Sequence, residues 1–234
     1  MKKKVLLVSG WAADEDTWNN VIEDIEDDFL FKKILWSECL DRKNNRLFNE
    51  LEKVQEPVTV IGSSLGGLLA LQAVIEYSSK CSELIMICST SRMIKDEHYV
   101  GVDPKIIGAM KFGLNLNRKG LLRDFAAKLF SPDPNTEDIE KFLKVTEKFS
   151  TKELTKGLDI LLNTDLRHKL REVPVKVLNI HGSRDSIMPI EQSEYLHKHL
   201  PNGTLEIIEG SGHNMLVTHA KQVAQKIKRF IGNG

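Results

Sequence analysis

Residues 58–71 read VTVIGSSLGGLLAL. Val58, Thr59, Val60 and Ile61 are all β-branched, whereas the residues from Leu65 onward are small or aliphatic. The first run suits an extended strand and the second a helix. Only Gly62, Ser63 and Ser64 separate them. A strand that becomes a helix within three residues must turn sharply, and larger side chains at Gly62 or Gly66 would collide across that turn. The stretch therefore commits the chain to a strand–turn–helix unit.

Further short apolar runs follow the same logic. Val5–Val8, Phe29–Trp36, Leu84–Cys88, Val175–Ile180 and Leu205–Ile208 are predicted strands. Helical spacing is present over 17–27, 47–54, 65–77, 191–199 and 216–231. Strands alternating with helices predict an α/β fold: a mostly parallel sheet of about six strands with helices on both faces. Residues 92–170 break this rhythm. They hold no strand pattern but four amphipathic pieces, 104–112, 118–130, 136–149 and 151–162, with a turn at SPDPNTED. The expected organisation is a core of residues 1–91 and 171–234 with a helical cap, 92–170, inserted before the fifth strand, all in one structural unit. A length of 234 residues suits this.

Lys and Arg together number 33, as do Asp and Glu, so the formal net charge is zero. That balance argues against nucleic acid as a partner. The three cysteines, Cys39, Cys81 and Cys88, form no CxxC, and reduced thiols in a cytoplasmic protein are expected. The apolar run after the N-terminal lysines is four residues long, against about 7–15 in a secretory signal. No segment has the roughly 18–20 apolar residues of a membrane span, so no membrane association is expected.

Gly62-Ser63-Ser64-Leu65-Gly66 fits G-x-S-x-G centred on Ser64, in the strand-to-helix context that motif requires. Centring on Ser63 would put Ile61 and Leu65 at the glycine positions. By itself the pentapeptide is a moderate signal, because plain Gly-Ser turns are common. A nucleophilic serine needs a base, and the base needs an orienting acid. Two downstream turns supply candidates in the order Ser, acid, His: Asp185 in VKVLNIHGSRDSIMP and His213 in LEIIEGSGHNML. Each follows a predicted strand, at the sheet edge where α/β proteins bind ligands. Asp96 and Asp165 are the other acids considered, and both fall in or beside the inserted segment. The N–H of Leu65, at the start of a helix, and that of Trp11, in the turn after the first strand, are the candidate oxyanion donors. Such chemistry requires no metal and no organic cofactor.

These residues resemble the α/β-hydrolase fold superfamily over nearly the whole chain. Within it, the sequence is most similar to the carboxylesterases of biotin synthesis that demethylate pimeloyl-[acyl-carrier protein] methyl ester. The similarity is carried by Gly10-Trp11 with Trp18, the serine turn, CSTSR at 88–92, and LLNTDLRHKLREVPVKVL at 161–178, above all Thr164–Arg167. The resemblance implies a serine carboxylesterase, with Trp11 and Leu65 at the oxyanion and substrate site and Phe125 lining an acyl channel. It also implies a carrier-bound or small ester as substrate and acyl carrier protein as a partner. Arg118, Lys119, Arg123 and Lys128, with Lys141, Lys144 and Lys148, are spaced to offer such an acidic partner a basic face. Two departures alter the mouth of the site: Ser9-Gly10 stands where the family has His-Gly, and WSECLD replaces a Gly-x-Gly-x-Ser loop. Two other functions fit the same residues: an acyl thioesterase, and a signalling or ligand-binding protein that does not hydrolyse.

Overall fold

β1 (Lys3–Val8), β2 (Phe29–Ile34), β3 (Val58–Ser63), β4 (Cys81–Ile87), β5 (Lys176–Gly182) and β6 (Gly203–Ile208) form one sheet in the order β2-β1-β3-β4-β5-β6. Every pairing is parallel. The computed structural model describes residues 2–232; Met1, Asn233 and Gly234, which the expected core limits include, lie outside the described residues.

The helices are α1 (Asn19–Glu23), α2 (Arg46–Lys53), α3 (Leu65–Glu76), α4 (Pro104–Leu116), α5 (Arg118–Leu129), α6 (Thr136–Thr146), α7 (Thr151–Asn163), α8 (Ile190–His199), α9 (Met215–Thr218) and α10 (Ala220–Gly232). Alternate strand residues serve two cores. Val5, Leu7, Ile61, Ile85 and Leu178 meet Val21 of α1 and Val223, Ile227 and Ile231 of α10. Leu6, Val8, Val60, Met86 and Val177 meet Leu47 and Leu51 of α2, Leu68 and Leu71 of α3, and Leu196 of α8. Burial on both faces is why the strands read as unbroken apolar runs.

Between β4 and β5 the chain runs through α4 to α7, whose Leu114, Leu122, Phe142 and Leu158 join the second core. It leaves and rejoins the sheet at one clasp. Arg92 and Asp165 pair across an antiparallel bridge, and Leu166 N–H donates to Ser91 O at 2.9 Å. Arg92 and Arg167 both bind Asp165, Arg167 also binds Asp96 at 2.8 Å, and its guanidinium lies 4.8 Å above the Tyr99 ring. Asp96 and Asp165 are thus held in this ionic clasp and do not reach a strand-end turn.

Local differences from the sequence expectation have local causes. The 17–27 helix is a 3-10 turn at Glu15–Trp18, capped by Asp14, followed by the short α1. The second strand stops at Ile34; beyond it Glu38 accepts the Leu35 N–H and winds Trp36–Cys39 into a turn. The last helix breaks at His219, where φ is −133°. Among the described residues no helix is long and apolar enough to cross a membrane.

Candidate active site

Ser64 sits at the junction of β3 and α3 with φ +54° and ψ −122°. A non-glycine residue with positive φ is strained, so the surroundings must impose it. The Ser64 N–H donates to Ile87 O at 2.9 Å, and Ser89 Oγ donates to Ser64 O at 2.7 Å. The glycines permit the approach: a Cβ on Gly62 would lie 2.3 Å from Gly66 O, and one on Gly66 2.4 Å from Val8 O. Ser63, buried beside this turn, borders only the smaller of two cavities above the sheet, while Ser64 is half-buried and lines both.

Asp185 follows β5 and His213 follows β6. Asp185 Oδ1 accepts the N–H groups of Ile187 and Met188, both at 2.9 Å, and its Oδ2 accepts His213 Nδ1–H at 2.7 Å. Burial pushes the Asp185 carboxyl up, but the His213 imidazole with its hydrogen bond, His181 and the Met188 N–H outweigh it and hold the group below the usual carboxylate range. With Nδ1 engaged, Nε2 is the free nitrogen of the His213 ring. Ser64 and His213 line one cavity of about 320 Å³. Among the described residues no hydrogen bond joins them directly, as is common before substrate binds.

The N–H groups of Trp11 and Leu65 donate to no other group among the described residues. Leu65 is the first residue of α3, where the helix dipole favours negative charge. Trp11 lies in the turn after β1, fixed by its indole N–H to Leu154 O at 2.8 Å and by Lys148, which binds the neighbouring Asp14 at 2.6 Å. Phe125 of α5 stands edge-on to Trp11 with ring centroids 5.0 Å apart. Trp11, Ser64 and Phe125 also line a second, larger cavity of about 500 Å³, walled by Ile107, Met110, Leu158 and Met188.

The predicted residues Ser64, Leu65, Trp11, Phe125, Asp185 and His213 therefore converge on one region. The seven cations expected on a basic face do not make a free one. Arg118 donates to the carbonyls of Thr146 and Phe149, Arg123 pairs with Glu140, Lys141 with Glu137 and Lys148 with Asp14. Lys119, Lys128 and Lys144 are exposed and form no ion pair among the described residues.

Sequence reasoning did not single out two buried neighbours of the acid, His181 and Cys88. With Asp185 their ligand atoms lie within 4.8 Å of one another. They make a poor metal set, because both Asp185 oxygens already accept hydrogen bonds and burial, followed by the Asp185 charge, holds the Cys88 thiol protonated. The signal available was the His-Gly pair closing the strand four residues before Asp185.

The model of the alpha/beta hydrolase fold family matches residues 48–220. The pimeloyl-[acyl-carrier protein] methyl ester esterase of Neisseria meningitidis serogroup B (strain H44/76) is 25% identical over 242 residues, spanning 99% of this chain and 94% of the relative. The enzyme of the same name from Vibrio vulnificus (strain YJ016) is 23% identical, spanning 97% and 94%. Among solved structures, a bromoperoxidase from Bacillus anthracis superposes with a TM-score of 0.89 at 21% identity, covering 99% of this chain and 92% of that one. An esterase from Exiguobacterium antarcticum gives 0.87 at 20% identity, covering 98% and 92%. At these identities the solved structures speak for the fold.

Proposed function

The chain belongs to the α/β-hydrolase fold family, and on that premise we propose that it is a serine carboxylic ester hydrolase acting through an acyl-enzyme at Ser64. The observation that carries the reading is the 2.7 Å bond from His213 Nδ1 to Asp185 Oδ2 beside a serine held at φ +54°. His213 Nε2 takes the Ser64 proton as Oγ bonds to the ester carbonyl carbon. The N–H groups of Trp11 and Leu65 receive the oxyanion. Asp185 fixes the ring's tautomer and stabilises its cation. Collapse of the intermediate breaks the carbon–oxygen bond, and His213 passes the proton to the departing alcohol. Water, activated by the same imidazole, then releases the acid.

The larger cavity, mostly aliphatic and about 500 Å³, suits a medium acyl chain. The curated relatives' names give the finer reading: the methyl ester of a pimeloyl group on acyl carrier protein. Of the seven cations expected on a basic face, Lys119, Lys128 and Lys144 are left for such an acidic partner. The helical run α4–α7 acts as the cap over the acyl chain.

Hydrolysis of short p-nitrophenyl esters by the protein, and its loss in Ser64→Ala, test the hydrolase. Complementation of a biotin-requiring strain that lacks its own esterase tests the finer substrate. A panel of matched esters and thioesters divides carboxylesterase from thioesterase.

A further inference from the structure

Asp185 is approached by a second imidazole. His181, wholly buried next to the end of β5, has Nε2 3.0 Å from Met188 O and 3.5 Å from Asp185 Oδ2, the oxygen that accepts from His213. Its Nδ1 lies 2.7 Å from the hydroxyl of Ser193, itself buried on α8. The tautomer follows from these partners. Nε2 faces two acceptors, a carbonyl and a carboxylate, so it must carry the ring proton. Nδ1 is then the acceptor for the Ser193 hydroxyl proton. Burial first of all drives His181 toward its neutral form, against the nearby Asp185 charge.

We propose that His181 is a positioning residue: its Nε2–H, oriented by Ser193, fixes the Met188 carbonyl that closes the Asp185 turn, and its positive edge, 3.5 Å from Oδ2, limits how strongly that carboxylate pulls on His213. This rests on the reading of Asp185 as the orienting acid. The turn 183–189 that carries Asp185 has its amides at Ile187 and Met188 folded onto Oδ1. His181 closes the other side of that turn by gripping the Met188 carbonyl. The positive N–H edge of the ring, bonded to the Met188 carbonyl and 3.5 Å from Oδ2, partly offsets the carboxylate's charge. A carboxylate freed of that edge would hold the imidazolium at His213 more tightly. The charged and titratable groups around His181 are Asp185 on its own turn, Cys88 after β4, His213 after β6 and Glu191 on α8.

Three variants test this: His181→Phe removes the N–H, His181→Gln retains an amide N–H of similar reach, and Ser193→Ala frees the tautomer. In His181→Phe, kcat should fall roughly twofold to tenfold, the range of one hydrogen bond to a neutral carbonyl, with KM little changed. The low-pH limb of kcat/KM should move up by about half a unit to one unit. His181→Gln should recover most of both changes, and Ser193→Ala should shift the limb in the same direction by less. Equal kcat losses in His181→Phe and His181→Gln, with the limb unmoved, would mean that His181 only fills space and would overturn the proposal; so would an unchanged His181→Phe. Nitrogen-15 NMR of histidine-labelled Ser64→Ala protein reads the tautomer without turnover: His181 should remain neutral with its proton on Nε2, and a proton on Nδ1 would contradict the proposal. If the unaltered protein hydrolyses no ester, the hydrolase reading fails, while this spectrum still decides the His181 assignment.

Discussion

The indole N–H of Trp11 donates to the carbonyl of Leu154 at 2.8 Å, joining the turn after β1 to α7. The contact is made possible by a notch in that helix. A Cβ on Gly157 would stand 2.6 Å from Trp11 and 2.6 Å from Trp36. The candidate oxyanion donor is therefore positioned by residues almost 150 places further along the chain.

Gly157→Ala should push Trp11 out of place. Overpacking of this kind costs about 1–3 kcal/mol of stability. The larger effect should be on rate: loss of one oxyanion donor costs about 10²–10³ in kcat, and a displaced one should cost at least tenfold. Thermal denaturation and steady-state kinetics on a p-nitrophenyl ester separate the two. A destabilised variant with unchanged kcat would show that the Trp11 N–H does not serve the reaction.

Asp185→Asn should preserve the fold and impair turnover, because the amide no longer enforces the tautomer that leaves Nε2 free. In serine proteases the same replacement costs about 10⁴ in kcat. Stability gives an independent reading. A carboxyl held below its ordinary range stabilises the fold fully above that range and loses the contribution as pH falls through it toward the folded-state value. Melting temperature should therefore fall less steeply between about pH 5 and pH 3 in the variant than in the parent. Parallel curves would refute the depressed carboxyl.

Phe125 faces both cavities and stands edge-on to Trp11, 86° between ring planes. Phe125→Ala should merge the two spaces above Ser64. The ratio of kcat/KM for a long-chain ester to that for an acetyl ester should rise roughly tenfold, about the worth of one or two methylenes in an apolar site. A uniform loss across chain lengths would place Phe125 in support of the fold only.

All three cysteines are free and buried. Burial pushes the thiols of Cys39 and Cys81 up to about 12 and that of Cys88 well above its ordinary value. A disulfide reagent at pH 8 should find no fast-reacting thiol in the native protein and three after unfolding. Rapid native labelling would contradict the packing around the sheet.

Much of the fold could be read from the sequence because it is written locally. Val5–Val8 and Val58–Ile61 are buried on both faces, so each announces itself without a partner. The outer strand residues were missed because pairing alone extends them: Lys3 is exposed, yet it belongs to β1 through its register with Phe29. Ser64, Asp185 and His213 were legible because each sits in a turn directly after a strand. His181 was not: the His-Gly pair marked only the end of the strand, and it is the returning loop that brings Asp185 and Met188 against the ring. The basic faces were misleading for a related reason. Their spacing is local, but Arg123 finds Glu140 on α6 and Lys148 finds Asp14 beside the oxyanion turn.

The central claim is that Ser64, activated by His213, is the nucleophile. The most direct measurement is peptide mass spectrometry after reaction with a fluorophosphonate, which phosphonylates an activated serine with loss of fluoride. One adduct should appear, on Ser64 and not on the adjacent Ser63, and it should vanish in His213→Ala. An adduct on Ser63, or labelling of Ser64 that survives loss of His213, would contradict the account.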